Sequence, residues 1–236
     1  MRAGIRRCGD AAECVAITES PRHDVGVIYG WFHREVLRAY PQFMYADLGY
    51  WRRDTHYRVA VGDWSPHRYI DQGMSSARLE SFGVRVASWR SGEEILIAGA
   101  SAKSAAQHGY RYMEWERRIV RQLEGRLMYR PKPKDPNRQP IPGTMLDTRP
   151  ADVALDKAGF LVTHHSNMAI DALVAGIPVH CVTGAAAAFS VPIDAVAQRS
   201  GREQFLADVA WQQWSLAEME SGDCWSYLKE RGIIQC

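Results

Sequence analysis

The sequence lacks any apolar run that approaches the roughly 20 residues of a membrane-spanning helix. Its first stretch, MRAGIRRCGDAAECVAITES, is basic but lacks the continuous apolar segment of a secretory signal peptide. The five cysteines are scattered and form no C-x-x-C pair, so the sequence predicts neither a disulfide framework nor a cysteine zinc site. Internal repeats and low-complexity tracts are missing as well. These absences predict a cytoplasmic, globular protein without a membrane span.

Charge of one sign is also scarce, because 29 Lys and Arg nearly balance 27 Asp and Glu and leave a formal net charge of +2. This balance does not by itself indicate a nucleic-acid-binding protein, although it is compatible with a local basic groove. Hydrophobic residues make up 46% of the chain, which is enough for a buried core in one large domain or two small ones.

Short apolar runs alternate with helical patterns along the chain, which is typical of an α/β fold. The predicted strands cover residues 24–29, 43–46, 57–61, 94–98, 127–129, 160–162 and 179–182. Helices are predicted at 34–40 and 112–123, with one or two more in the tail from 202 to 229 that pack on the body. Residues 153–155 fit an edge strand or a short helix. We place a domain boundary near residue 90, which divides the chain into units of 1–90 and 91–236.

The stretch FLVTHHSNMAIDALVAGIPV, residues 160–179, runs from a buried strand through two histidines into a helix. Ser166 is predicted to cap this helix, with Asn167 at its first position and Asp171 on the same face one turn later. Gly176 and the proline beyond it end the helix. The unpaired N–H groups of a helix start can bind a phosphate, and Asp171 can accept hydrogen bonds from hydroxyls. The alternative is an ordinary capped helix with a solvated Asp171.

The string THHSNMAIDALVAGIPV resembles the donor-binding segment of GT-B glycosyltransferases, in which a small polar turn opens a helix that carries an acidic residue and ends at Gly-x-Pro. The resemblance implies that Ser166 and Asn167 contact the donor diphosphate and that Asp171 binds ribose hydroxyls. Asp171 stands where the family more usually has glutamate, which shortens its reach. The implied fold is a compact GT-B-like pair of facing Rossmann-like units, with 1–90 on the acceptor side and 91–236 binding the nucleotide sugar.

The motif RPKPK places Arg130, Lys132 and Lys134 at the end of a predicted strand, where open α/β sheets bind ligands. The prolines keep the loop extended, so that alternating cations can face a diphosphate. Capsule-type transferases with GT-B-like folds are similar in carrying a basic, proline-containing element at an equivalent place. A solvated basic loop is the alternative interpretation.

The adjacent His164 and His165 do not predict a metal site. Consecutive residues on an extended backbone point to opposite sides, and no third ligand is evident from the sequence. We expect one histidine to pack inward and the other to face the cleft, where it donates to a phosphate or sugar hydroxyl of the donor.

Asp47 follows a predicted strand and lies beside Gly49 and two aromatic residues, which favours it as the catalytic base. Its competitors are His33, His56 and Asp63, and its alternative role is to cap a turn. The residues that follow Asp47 include an aromatic and cationic cluster that suits a glycan or an extruded nucleobase: Trp51, Arg52, Arg53, His56, Trp64 and His67.

The sequence therefore predicts a glycosyltransferase that moves a sugar from a nucleotide-sugar donor to an acceptor hydroxyl, with inverting chemistry if Asp47 is the base. The nucleotide sugar is a co-substrate, and no other cofactor is predicted. The acceptor is left open among a glycan, a small molecule and modified DNA. One alternative is a phage-type DNA glycosyltransferase that acts on hydroxymethylated bases. The others are a non-catalytic nucleotide-binding module and an epimerase or phosphotransferase on the same scaffold.

Overall fold

The computed structural model describes residues 1–14, 23–30, 39–63, 73–136 and 138–235. By their contacts, the residues form two compact units, one of Met1–Phe82 with Ala207–Cys236 and the other of Gly83–Leu206. No helix in these described ranges is long and apolar enough to cross a membrane. The predicted helix at 34–40 and the side chains of His33, Trp64 and His67 lie wholly or mostly outside the described residues.

The first unit is built on a mixed four-stranded sheet in the order β1-β2-β3-β9. Its strands are β1 (Val25–Tyr29), β2 (Gln42–Leu48), β3 (His56–Val61) and β9 (Gln213–Ser215). The β1–β2 pair is parallel and the other two pairs are antiparallel. The helices described in this unit are α1 (Arg2–Arg7), α2 (Ala77–Ser81), α8 (Leu216–Ser221) and α9 (Asp223–Glu230).

The second unit has a five-stranded sheet in the order β6-β5-β4-β7-β8, and every described pair in it is parallel. The strands are β4 (Glu94–Ala98), β5 (Arg126–Arg130), β6 (Met145–Leu146), β7 (Ala158–Thr163) and β8 (Val179–Cys181). The helices α3 (Ala102–Gln107), α4 (Glu114–Val120), α5 (Ala151–Lys157) and α6 (Met168–Val174) connect them, and a 3-10 helix follows at Ala185–Phe189. This is the Rossmann-like arrangement, so the predicted α/β class is confirmed.

The central strands of the second unit are buried on both faces. Leu96 and Ile97 of β4 are fully buried, as are Leu161 and Val162 of β7. A strand covered on both sides needs apolar residues at successive positions, which explains why ILIA in β4 and FLV in β7 are continuous apolar runs rather than alternating ones.

The C-terminal tail, in which one or two helices were expected to pack on the body, contains three helices and a short strand. Helix α7 (Arg202–Ala210) runs across the division of the chain, and β9 then pairs antiparallel with β3 through His56↔Ser215 and Arg58↔Gln213. The side chain of Ser215 caps α8 in a capping box with Glu218, which also binds Arg78 at 2.7 Å. Residues from Ala207 onward therefore belong to the first unit by their contacts.

Three local predictions change in the structure. Residues 153–155 lie in the helix α5, so the edge-strand alternative is wrong. The helix predicted at 112–123 is limited to α4, because Met113 adopts a left-handed φ of 61° just before it. Asp47 lies inside β2, which continues to Leu48, and not after the end of that strand.

Gly176 ends α6 with a φ of +78°, a left-handed conformation that favours glycine. A Cβ at this position would lie 2.0 Å from the Ser88 carbonyl oxygen, a backbone atom that has little freedom to move. Backbone hydrogen bonds from Ala87 to Val174 and from Arg90 to Gly176 fix this close approach. Gly109, which follows α3, has a φ of +79° but has open space where a Cβ would be.

We expect Gly176→Ala to destabilise the protein more than Gly109→Ala. Both substitutions introduce left-handed strain of about 1–2 kcal/mol, and Gly176→Ala adds a clash that costs about 1–3 kcal/mol more. Urea unfolding of the two variants measures the difference, and Gly109→Ala controls for the backbone strain alone. Equal losses in free energy of unfolding would contradict the close approach to Ser88.

Candidate functional site

The carboxyl ends of β4 and β7 lie side by side in the second unit, with Ala98 paired to Thr163. After β4 the chain leads to β5 on one side of this pair of strands. After β7 it leads to β8 on the other side. In open α/β sheets, ligands bind at this switch point, where the connections diverge and leave a crevice. The hydroxyl of Thr163 donates to the Ala98 carbonyl at 2.8 Å and accepts from the Ser166 N–H at 3.2 Å, so the two strand ends and the following turn are joined.

The basic loop and the turn before α6 meet at this place. The Lys132 Nζ donates to the Ser166 Oγ at 3.2 Å, and the same Oγ accepts from the Met168 N–H at 3.3 Å. The N-cap of α6 is Asn167 and not Ser166, so the helix begins one residue later than predicted, and Asp171 lies in the first turn. The structure therefore brings together two motifs that are 34 residues apart in the sequence.

Arg130 has a different environment from Lys132. Its guanidinium donates to the Arg149 carbonyl at 2.5 Å and lies 3.7 Å from the carboxylate of Asp147. Asp147 is buried and also accepts from the side chain of Arg149 at 2.9 Å, and Arg149 pairs in turn with Glu94 at 2.6 Å. Arg130 therefore belongs to a network of charged side chains beside β5 and β6. Its contact with a donor stays a prediction.

The structure contradicts both reasons for not predicting a metal site at the two histidines. His164 and His165 follow the end of β7, and their Nδ1 atoms lie only 3.0 Å apart, so the side chains do not point to opposite sides. A third imidazole, His108, comes from the end of α3 and stacks on His165 with ring centroids 4.1 Å apart. Burial, and next the neighbouring His108 and Arg118, lower the pKa of His164 to about 4, so this ring is neutral near pH 7.

Glu116 is a buried carboxyl group that the sequence analysis missed. It lies on α4 and accepts from the Ala100 N–H at 2.8 Å, which fixes the loop after β4. Burial raises its pKa above the usual range for glutamate. Glu116 lies four residues after Tyr112, which places both on the apolar face of the helix predicted from the sequence. An acidic residue on an apolar helix face is the sequence signal that could have identified Glu116. The Tyr112 hydroxyl donates to Asp135 at 2.5 Å, so a second buried carboxylate lies in the basic loop.

The predicted catalytic base, Asp47, is engaged within the first unit. Its Oδ2 accepts from the Tyr45 hydroxyl at 2.8 Å and from Arg58 at 3.0 Å, and its Oδ1 accepts from the Leu48 N–H at 2.8 Å. His56 begins β3, contacts Thr55 through a 2.9 Å hydrogen bond, and has a pKa lowered mainly by burial. A catalytic role for either residue stays a prediction, as does that of His33.

The predicted acceptor cluster forms in part around Phe82, which the sequence analysis did not include. The Trp51 ring lies 5.8 Å from the Phe82 ring, and the Arg52 guanidinium is 5.5 Å from the same ring. The Arg53 side chain instead donates to the Tyr50 carbonyl at 3.1 Å. Trp64 falls outside the described part of the chain. The binding role of this cluster stays a prediction.

No family model matches this chain, and no curated protein matches it significantly. Among solved structures, it is similar to the beta Kdo 2,7 transferase KpsC of Thermosulfurimonas dismutans, with a TM-score of 0.57 and 12% identity. The match covers 97% of this chain and 95% of the other. The two chains share a fold. A beta Kdo 2,4 transferase KpsC of the same organism matches over 78% of each chain, with a TM-score of 0.48 and 12% identity.

The raised pKa of Glu116 makes stability depend on pH in a definite direction. The folded chain holds this proton more tightly than the unfolded chain, whose glutamate pKa is about 4.3. The contribution of Glu116 to the free energy of unfolding should therefore fall as pH rises from that value through the folded pKa. In Glu116→Gln this contribution is absent, so the stability of the variant relative to wild type should increase with pH.

Urea unfolding at several pH values between about 4 and 8 measures this difference. Glu124→Gln, an exposed site in the same unit, is the control for loss of a carboxylate. A difference between Glu116→Gln and wild type that does not change with pH would contradict the buried environment of Glu116.

Proposed function

We propose that this protein is a glycosyltransferase that moves a sugar from a nucleotide-sugar donor to an acceptor hydroxyl, and that the donor binds at the carboxyl ends of β4, β5 and β7. The observation that carries the proposal is the 3.2 Å contact of Lys132 with Ser166, because it joins the basic loop to the start of α6. The fold shared with a Kdo transferase over nearly the whole chain supports the class of enzyme.

The donor contacts follow from the charges and hydrogen-bonding groups at this place. The ammonium group of Lys132 is half-buried and is suited to a phosphate oxygen, with the Ser166 hydroxyl beside it. Asn167 and Asp171 lie one turn apart on α6, and we assign Asp171 to the ribose hydroxyls. His164 and His165 are proposed to contact the donor, and Arg130 to hold the loop through Asp147 while it faces the phosphates.

In the proposed transfer, the acceptor oxygen forms a bond to the anomeric carbon while the bond from that carbon to the phosphate oxygen breaks. A base takes the acceptor proton, and Lys132 stabilises the charge that develops on the departing phosphate. Asp47 is the proposed base, with His56 and His33 as the alternatives. We assign Trp51, Arg52, Arg53 and Trp64 to the acceptor, for which a glycan is the class that the fold similarity favours.

A nucleotide-binding module without catalysis is the second candidate, because Asp47 is already paired with Arg58 and Tyr45. Such a module would keep the Lys132 contact and would bind nucleotides without consuming the donor. Measurements of binding and turnover on the same variants therefore separate the two candidates.

We expect Lys132→Ala to weaken the binding of a nucleotide by about 1.5–3 kcal/mol, the range for a hydrogen bond to a charged group, and to leave nucleoside binding nearly unchanged. Calorimetric titration with UDP, GDP, CDP, CMP and ADP and with the matching nucleosides measures both affinities. Lys157→Ala is the matched control, since Lys157 is exposed in the last turn of α5, in the same unit and outside the basic loop. An equal loss with nucleotide and nucleoside, or an equal effect of Lys157→Ala, would contradict the assignment of Lys132 to a phosphate.

We expect Asp47→Asn to retain donor affinity and to lose about 100-fold in turnover, because an amide does not accept a proton at neutral pH. The substitution also removes the charge partner of Arg58, so a loss of about 1–3 kcal/mol in stability should accompany it. Turnover is measured as donor consumption below the unfolding transition of the variant, with the exposed Asp54→Asn as control. Full turnover in folded Asp47→Asn would remove Asp47 from the reaction and leave His56 and His33 as candidate bases.

A further inference from the structure

Three imidazole side chains converge beside the switch point of the second unit. His164 and His165 follow β7, and His108 follows α3. One ring nitrogen from each of the three lies within 4.8 Å of the other two. We propose that His108, His164 and His165 form a binding site for a divalent transition metal ion of the zinc type. This inference does not depend on the proposed function.

The distances between the rings suit tetrahedral coordination. With metal–nitrogen bonds of about 2.0–2.1 Å, two ligating nitrogens lie about 3.3 Å apart, and the two ring centroids lie about 5 Å apart. The Nδ1 atoms of His164 and His165 are 3.0 Å apart, and their ring centroids are 5.2 Å apart. The centroids of His108 and His164 are 5.0 Å apart. Only the stacked pair of His108 and His165, at 4.1 Å, has to separate by about 1 Å to complete the set.

Ser104 supplies the support that metal-binding histidines need from their surroundings. Its hydroxyl lies 2.5 Å from the Nε2 of His165. When Nε2 donates its proton to this oxygen, the lone pair of Nδ1 points toward His164. Metal-ligating histidines nearly always donate their second ring N–H in this way, which fixes both the tautomer and the ring orientation. Ser104 is therefore a positioning residue for His165 and does not itself bind the metal.

The ligand set indicates both the kind of metal and an open coordination position. Imidazole is a good ligand for Zn²⁺, Cu²⁺, Ni²⁺ and iron, and a poor one for Mg²⁺ and Ca²⁺, which prefer oxygen. Three histidines leave the fourth position of a tetrahedral ion open, as in catalytic rather than structural zinc sites. Three neutral imidazoles also leave both positive charges of the ion uncompensated, so the fourth ligand is an anionic oxygen of hydroxide, carboxylate or phosphate.

Calorimetric titration of the chelator-treated protein with ZnCl₂ tests the site, and Co²⁺ absorption spectra report the coordination geometry. We expect wild type to bind one Zn²⁺ and the Co²⁺ form to show the bands of a tetrahedral ion. His108→Gln should weaken Zn²⁺ at least about tenfold, and Ser104→Ala should weaken it about 10–100-fold through its support of His165. His180→Gln is the matched control, because His180 is a half-buried histidine of the same unit whose ring bonds the Val191 carbonyl.

Zinc affinities of the folded variants either support or overturn the metal site. Circular dichroism confirms that each variant is folded, and Ser104→Ala, which removes a single hydroxyl, carries the test if His108→Gln does not fold. Absence of stoichiometric Zn²⁺ and Co²⁺ binding to folded wild type would overturn the proposal. So would an unchanged affinity in His108→Gln, or an equal loss in His180→Gln, because the metal would then bind elsewhere.

Discussion

The parallel pairing of β4 with β7 is the constraint on which the second unit depends. It buries Leu96 and Leu161 at the centre of the sheet and brings Ala98 beside Thr163 at the carboxyl ends. The side chain of Thr163 then bonds both to the neighbouring strand and to the turn that opens α6. Because the described strand pairs of this sheet are all parallel, the loops after β4, β5 and β7 begin at the same edge.

Two loops at this edge are fixed by buried carboxyl groups. Glu116 fixes the loop after β4 through the Ala100 N–H, and Asp135 anchors the basic loop through Tyr112. Lys132 of the same basic loop donates to Ser166. A charged group that is already positioned loses little conformational entropy when a ligand binds, so a rigid site gains affinity from the fold around it.

The sequence allowed the α/β class and the second sheet to be predicted, because continuous apolar runs and the Gly-Ile-Pro stop are local signals. It also predicted that the basic loop and the start of α6 converge. It did not reveal His108 or Phe82, which reach their clusters through contacts between distant segments. The position of β9 was missed for the same reason, since Gln213–Ser215 is a short stretch whose strand conformation depends on pairing with β3.

The pairing of β9 with β3 has a consequence for the order in which the chain folds during synthesis. Strands β1 to β3 leave the ribosome before the second unit, but their sheet gains its fourth strand, Gln213–Ser215, only after Gly83–Leu206 has been made. The second unit, Gly83–Leu206, is continuous and is complete before that strand emerges. We therefore expect Gly83–Leu206 to fold before the sheet of the first unit is completed, the reverse of the usual N-terminal-first order.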